Sequence, residues 1–569
     1  MRRIGLTLVG FVGWGLVFLL AGSPVNAKEP ASDHAAKPAG KDHYTPAELA
    51  PTNHWWRFTD VTLDAGFDYE HGYTAAVIGR DGRPGPRTEP EIIAGGVAAG
   101  DYDNDGLVDL YVVRGTIGAN LLFRNRGDGS FEEVGGSAGV AIENRQGAGP
   151  AFADVDGDGN LDLIVNATLN TTPHLFRNRG DGSFEEITEG SGLASIKRST
   201  FSASFADLDG DGDLDLSLPH WNSLPSSGAS PQQLFANNGA GQFTDISSAS
   251  GFAAMLPRES PFRDDNEHEY TFSPNFADID GDGWVDLIVA ADFGTSMVLH
   301  NRGDGTFEDW TTPVISDQNG MGSAVGDVDN DGDLDWFVSS IYDASNQPEG
   351  NWGTTGNRLY INDGEGHFSD GTDRAGVREG YWGWGSCFQD LDNDGDLDLF
   401  HVNGWPKVGS AFEFDPSRLF VNKGDGTFEE SAVLHGIDDR GMGRGVVCFD
   451  ADRDGDIDIF IANNQEAPRF YRNDGGNRFN FLNVKLRGPA GNSEGIGAWV
   501  FVETSTKRQL REIRAGTNFA SQDPAEAHFG LGRLPFARRV EVKWPDGAVS
   551  VRERVPANSW LVISHPSLD

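Results

Sequence analysis

The chain has 569 residues, 44 basic and 87 acidic, for a formal net charge of −43. So acidic a protein repels phosphate backbones, which excludes nucleic acid as a partner. Apolar residues make up 38 % and aromatics 11 %, enough for packed cores and too much for a disordered acidic tail. Glycine occurs 75 times without a Gly-X-Y period, which excludes collagen, and two cysteines, Cys387 and Cys448, are too few for a disulfide scaffold or a Cys-based zinc ribbon.

Residues 1–27 read as a signal peptide. Arg2 and Arg3 precede an apolar stretch from Ile4 to Ala21, and Val25-Asn26-Ala27 supplies the small residues of a cleavage site. No later stretch approaches 18 apolar residues, so no transmembrane segment is expected after signal removal. The mature chain is expected to be exported: secreted, periplasmic or extracellular. Residues 28–53, rich in Ala, Pro and Lys, read as a flexible leader.

The next 400 or so residues are organised by one repeated loop, Asp-x-Asp-x-Asp-Gly-x-x-Asp, which occurs seven times. Its acidic positions are Asp101, Asp103, Asp105 and Asp109; Asp154, Asp156, Asp158 and Asp162; Asp207, Asp209, Asp211 and Asp215; and Asp278, Asp280, Asp282 and Asp286. They continue with Asp327, Asp329, Asp331 and Asp335; Asp390, Asp392, Asp394 and Asp398; and Asp450, Asp452, Asp454 and Asp458. An Asn-x-Gly-x-Gly-x-Phe turn follows each loop, starting at Asn125, Asn178, Asn237, Asn301, Asn362 and Asn422; the seventh, from Asn473, has Asn477 where glycine is expected. Each unit reads as four short strands: a Gly/Ala-rich strand before the loop, an apolar run after it, a Leu-Phe-Arg strand, and a strand opening on Phe. Seven such units predict an all-β, seven-bladed β-propeller over residues 54–479. Phe58 to Thr62 looks like a fourth strand that arrives before any first one, and is expected to complete the last blade as a clasp.

Four carboxylates in nine residues repel one another unless a cation joins them. Oxygen-only side chains at alternate positions, with glycine at position six for the bend, suit Ca²⁺, which takes six to eight oxygens, and do not suit zinc or copper. Up to seven Ca²⁺ ions are therefore expected, held by the 28 aspartates named above. An EF-hand does not fit: position twelve of the first loop is Val112, and strand-like runs flank the loops. The loops resemble those of FG-GAP or VCBS repeats, the units of the integrin α-chain propeller. That resemblance, over about 53–480, implies that the four Asp of each loop are calcium ligands.

Residues 480–569 differ in kind. They carry 12 basic and 9 acidic side chains and no Asp loop, and strand-like runs such as Leu482–Leu486 and Val540–Trp544 read as a small C-terminal β domain. Gly495-Ile-Gly-Ala498, Arg511-Glu-Ile-Arg-Ala-Gly516, Ser521-Gln522, His528-Phe-Gly-Leu-Gly532 and Trp544-Pro-Asp-Gly547 resemble the ASPIC/UnbV domain. A propeller followed by this domain is the layout of the cartilage acidic protein family, which implies an extracellular, calcium-binding protein.

The remaining candidates are less specific. Three Arg-Gly-Asp triplets, at Arg126, Arg179 and Arg302, read as turns set by their glycines, since Lys423-Gly-Asp fills the same slot. The connections remote from the Asp loops vary most and carry His220, Trp221, Asn222, Trp382, Trp384, His401, Asn403 and Trp405, aromatic and polar groups suited to stacking on a sugar or gripping a peptide. No nucleophile–base motif or phosphate loop occurs. The expected function is a non-catalytic binding protein for an extracellular glycan or protein ligand; the alternative is an enzyme acting on a polysaccharide or secondary metabolite at the channel mouth. Cys387 and Cys448 stand three and two residues before their loops. With equal registers they face opposite sides of their sheets, so a bulge is expected to be needed for pairing, and a disulfide and two buried thiols both stay open.

Overall fold

The computed structural model describes residues 55–568, apart from 74–76, 79–83, 86–88, 144, 222–232, 257–269, 344–352 and 406–411. The signal peptide and leader expected at 1–53, and Asn222, lie outside the described residues.

Each Asp loop is the turn between the first two strands of a sheet. In the second repeat Gly147–Ala153 pairs with Asp162–Ala167, that strand with His174–Asn178, and that one with Phe184–Glu186, all antiparallel. The same four-strand order is found at all seven loops among the described residues. First and second strands are buried throughout, as their continuous small and apolar residues require when both faces are covered. In the first two repeats the fourth strand buries only its leading Phe and exposes the acidic residues after it. Cores form between consecutive sheets, as where Ala98, Tyr111 and Leu122 of the first meet Phe152, Leu163 and Phe176 of the second. The seventh sheet, Gly443–Phe449, Asp458–Asn463 and Arg469–Asp474, takes its outer strand from Arg57–Asp60, with Phe58 opposite Asn473. The expected clasp is present. The seventh turn differs, as Asn477 suggested: Gly476–Arg478 forms a 3₁₀ turn.

A single asparagine fastens each sheet to the one before it. The amide of Asn178 donates to Tyr102 O (2.8 Å) of the first loop and to Leu161 O (3.0 Å) of its own. Asn237 reaches Val155 O, Asn301 Leu208 O, Asn362 Ile279 O, Asn422 Val328 O and Asn473 Leu391 O in the same way. Asn125 of the first sheet reaches Ala451 O of the seventh at 2.9 Å. The latches thus run from each sheet to its predecessor and from the first back to the last. Every one of these carbonyls belongs to loop position two, a buried acceptor that needs a donor.

The C-terminal residues build two sheets of their own. One holds Glu526–Gly532, Asn480–Arg487 and Ser559–Ser564; the other holds Arg508–Glu512, Trp499–Glu503, Phe536–Lys543 and Val549–Pro556. Their core is shared: Leu482, Val500, Phe529 and Val540 pack in one cluster with Ala151, Val155, Leu216 and Phe235 of the second and third repeats. Between the two sheets the chain sends a plug, residues 512–523, against the first strands. Val97 N–H donates to Ala520 O (3.1 Å), Phe152 N–H to Gln522 Oε1 (2.7 Å), Phe205 N–H to Ala515 O (3.0 Å) and Asp278 N–H to Glu512 Oε1 (3.0 Å). Arg514 donates to Val325 O (2.6 Å), Ser386 N–H to Asn518 Oδ1 (2.9 Å) and Cys448 N–H to Asp523 Oδ1 (2.8 Å). All seven sheets are bonded to this one segment. The inner edge of a first strand is a row of unpaired backbone groups, and the plug supplies their partners. Gly516, at φ 77°, passes so close that a Cβ there would lie 1.9 Å from Ala203 O. At the far end Phe519 is fully buried among Phe201, Phe272 and Trp384, with ring centroids 6.3, 5.4 and 5.1 Å away.

Cys387 and Cys448 form a disulfide between the sixth and seventh first strands, with Cα atoms 6.9 Å apart. The registers are equal, Gln389 opposite Asp398 and Phe449 opposite Asp458, and the bulges in both strands lie before the cysteines. Of the two open alternatives the disulfide is the one present, and the expectation that pairing needs a bulge is corrected. Adjacent sheets stack face to face, so side chains on opposite faces of their own sheets are the ones that meet.

The plug makes a direct prediction. Phe519→Ala empties the middle of the aromatic cluster and should lower stability by about 3–5 kcal/mol, read by thermal or urea denaturation; an unchanged curve would show that the plug tip does not help hold the sheets.

Candidate metal centres

The loops owe their shape to two left-handed residues. In the first, Asn104 (φ 57°) and Gly106 (φ 91°) turn the chain so that alternate carboxylates point inward. Position four is glycine or asparagine in six loops, and Arg453 in the seventh. In every loop but the fifth the position-one carboxylate accepts the N–H of the position-six glycine, as from Gly106 to Asp101 (3.1 Å) and from Gly395 to Asp390 (2.9 Å). The position-nine carboxylate is held in every loop by two N–H donors, one from position two and one from the latch asparagine. For Asp109 these are Tyr102 (3.2 Å) and Asn125 (2.8 Å), and for Asp458 they are Ala451 (3.1 Å) and Asn473 (2.7 Å).

This geometry gathers oxygens. Asp101, Asp103 and Asp109 bring one ligand atom each within 4.8 Å of one another, as do Asp154, Asp156 and Asp162, and Asp207, Asp209 and Asp215. Several buried oxygens here have no hydrogen-bond partner: Oδ1 of Asp101, Asp156 and Asp456, and both oxygens of Asp327. Acceptors without donors, packed beside other acceptors, fit a hard divalent cation. The protonation equilibria agree. Burial above all, reinforced by neighbouring carboxylates and opposed in part by N–H donors, raises Asp109 and Asp162 to about 8, Asp286 to about 9 and the position-one Asp450 to about 8. Asp335, Asp398 and Asp458 are driven well above the usual carboxylate range, chiefly by burial.

Basic residues of the C-terminal sheets sit on several loops. Lys485 Nζ lies 2.7 Å from Asp101 and Lys507 Nζ 2.6 Å from Asp396. Arg511 feels Asp390 and Asp327, whose charges oppose the lowering that its burial imposes. These partners were missed in sequence; the switch from an acidic repeat region to a basic C-terminal stretch was the signal that pointed to them. A polar cavity of about 70 Å³, lined by Arg511, Glu512, Arg514, Asp523 and His528 among others, separates the plug from the fifth and sixth first strands. It has room for a few waters and is far below the volume of a small-molecule site.

The aromatic and polar set chosen from sequence converges, largely inside the protein. His220, His401 and Asn403 are fully buried. Thr200 meets His220 at 2.8 Å, Asn357 meets His401 at 3.2 Å, and Asn403 donates to Pro416 O at 2.6 Å. Burial first, and then Arg198 and Arg418 respectively, pull both imidazoles down to about 3, so they stay neutral. Trp221, Trp382 and Trp384 are buried in the cluster that receives Phe519, while Trp405 is half-buried and lies flat on Trp382, with ring centroids 4.3 Å apart and planes at 1°. Trp405 therefore offers the more accessible indole of this stack.

Residues 488–568 match the ASPIC and UnbV family, and residues 101–165, 164–217, 278–338 and 347–401 match the FG-GAP-like repeat. The chain is 27 % identical to human cartilage acidic protein 1 over 517 residues, covering 83 % of this chain and 72 % of the relative. Its counterpart in Xenopus tropicalis is 27 % identical over 528 residues, covering 83 % and 74 %. Similar solved structures include an Agrocybe aegerita lectin recognising non-reducing terminal N-acetylglucosamine, at 17 % identity, TM-score 0.38 and 66 % and 86 % coverage. A Bacillus licheniformis rhamnogalacturonan lyase aligns at 15 % identity, TM-score 0.37 and 73 % and 75 % coverage.

The raised carboxylates set the sign of the pH response. Without a cation, a group whose native pKa exceeds its unfolded value binds more protons when folded, so stability falls as pH rises from about 4 through the native values near 7 to 9. Calcium should reverse this trend and bind more tightly at higher pH, since the protons must leave. At a hundredfold excess over its Kd each independent site adds about 2.7 kcal/mol. Melting curves in calcium and in EGTA between pH 5 and 8 test this, and coincident curves would exclude cation binding by the loops.

Proposed function

We propose that this chain, whose FG-GAP-like repeats and ASPIC and UnbV domain make it a distant homologue of cartilage acidic protein 1, is an exported, calcium-stiffened, seven-bladed propeller that recognises an extracellular glycan or protein. The circuit of latches from Asn125 to Asn473 supports closure of the seven sheets into one ring. The clustered oxygens and orphaned acceptors support Ca²⁺ held by positions one, three, five and nine of each loop. The Cys387–Cys448 disulfide supports an oxidising compartment, and no described helix is long and apolar enough to cross a membrane.

The observation that carries the recognition surface is the plug. It is bonded to the first strands of all seven sheets, and the sheets it comes from rest on the Asp loops through Lys485, Lys507 and Asn393–His528. That end of the axis is thereby committed to the chain itself. At the strand ends away from the Asp loops stands the Trp405–Trp382 stack, and a rigid frame presenting variable connections is the usual arrangement for recognition.

A glycan array with extracellular matrix proteins included, run beside an assay for cleaved product, tests the reading. Retention of a ligand without product is expected, and Trp405→Ala should weaken it by roughly 2 kcal/mol or more as a central anchor while leaving calcium-dependent melting intact. New reducing ends or unsaturated products would replace the binding reading with an enzymatic one.

A further inference from the structure

One position in each repeat faces the cation cluster from outside the loop: the residue just before the latch asparagine. In the first two repeats it is arginine, and Nε of Arg124 and Arg177 lies 2.6 Å from Asp103 and 2.8 Å from Asp156, the position-three carboxylates; in the seventh it is Arg472, which pairs with Asp474 at 2.8 Å. In the third, fifth and sixth it is Ala236, Ile361 and Val421, which bring no donor or acceptor. In the fourth it is His300. Its Nδ1 lies 3.1 Å from Asp286 Oδ1 and 3.4 Å from Asp280 Oδ2, so a nitrogen joins the carboxylates of positions three and nine within one cluster. The imidazole lies flat on Trp310, with ring centroids 3.9 Å apart and planes at 10°, which fixes its plane.

An arginine at this position competes with a bound cation, and an alkyl group ignores it. Neutral histidine adds a ligand. Metal–nitrogen and metal–oxygen bonds of about 2.1 Å put neighbouring ligand atoms roughly 3.0–3.4 Å apart, the separations seen around His300. Calcium takes oxygen and gains little from imidazole, whereas first-row divalent metals of the zinc and cobalt class favour it. We propose that the fourth repeat is a mixed nitrogen–oxygen site, with His300, Asp280 and Asp286 as ligands, for a first-row divalent metal, set in a series of oxygen-only sites. The assignment rests on the reading that the loops hold cations. It makes the seven repeats chemically unequal: guanidinium-facing, open or nitrogen-bearing.

The test titrates Co²⁺ into the mature protein kept in millimolar calcium, followed by visible absorption and calorimetry. The expected result is one Co²⁺ equivalent with a visible ligand-field band that zinc displaces. That equivalent should be lost, or weakened at least tenfold, in His300→Ala and in His300→Arg. The arginine variant copies the arrangement of the first two repeats, so it keeps the test open should the alanine variant fail to fold. If wild type and both variants titrate alike, His300 is an ion-pair partner only and the assignment falls. Calcium-against-EGTA melting of the wild type is read separately. A normal calcium shift without a His300-dependent cobalt equivalent overturns this site alone, whereas no calcium shift removes the broader reading.

Discussion

The position-nine carboxylate is the joint on which the repeat architecture turns. Asp109 is fully buried, and its oxygens hold the N–H of loop position two and the N–H of the latch asparagine. That same position-two residue offers its carbonyl to the asparagine of the next sheet. Loop shape, strand register and attachment between sheets therefore share one small set of hydrogen bonds. A buried charge is costly unless its surroundings answer it. Two N–H donors answer in part, and the remaining acidity of the loop is what a cation or a lysine from the C-terminal sheets can balance. Lys485 on Asp101 and Lys507 on Asp396 show the chain using its own cations for this purpose.

The second constraint lies at the axis. First strands made of small residues approach one another closely, yet their inner edges still carry backbone groups that need partners. The plug satisfies them with a mixture of main-chain carbonyls and the side chains of Gln522, Asn518, Asp523, Ser521 and Arg514. Because these contacts differ from sheet to sheet, each stretch of the plug is matched to one sheet although the repeats are alike. The motif Arg511-Glu-Ile-Arg-Ala-Gly516 combines the charges that meet the fourth to sixth repeats with the glycine that lets the chain pass Ala203.

Much of this was legible in the sequence, for reasons that can be named. The loop repeats because its left-handed turns admit few residues at positions four and six, so Asn104, Gly106 and their counterparts leave a periodic mark. The clasp was visible because Phe58 opens a fourth-strand pattern without a first strand before it. The asparagine of the second motif was visible as a letter, but its role was not, since a latch between sheets requires knowing which carbonyl lies across the gap. Trp221, Trp382 and Trp384 read as a surface because their connections vary in length. They lie in one buried cluster with Phe519, nearly 300 residues after Trp221, and no local pattern announces that meeting. The need for a bulge at the disulfide was misjudged by treating two sheets as one plane instead of two stacked layers, whereas the pairing itself had been left open.

The clasp also dictates an order of assembly. Thr59 bonds Asp474 across a sequence separation of 415 residues, and Val97 waits for Ala520 before its N–H is paired. Individual hairpins around the Asp loops are local and can form early, but the seventh sheet and the axis both depend on distant partners. Such non-local closure slows folding and leaves strand edges exposed until it is complete. During synthesis the hairpins can accumulate one after another, while the circuit of latches stays open until the seventh repeat has emerged and the first strands lack the plug until the C-terminal sheets follow. Completion of the fold is then a late, concerted event, and the seven repeats become one cooperative body only when residues from both ends of the described chain are in place.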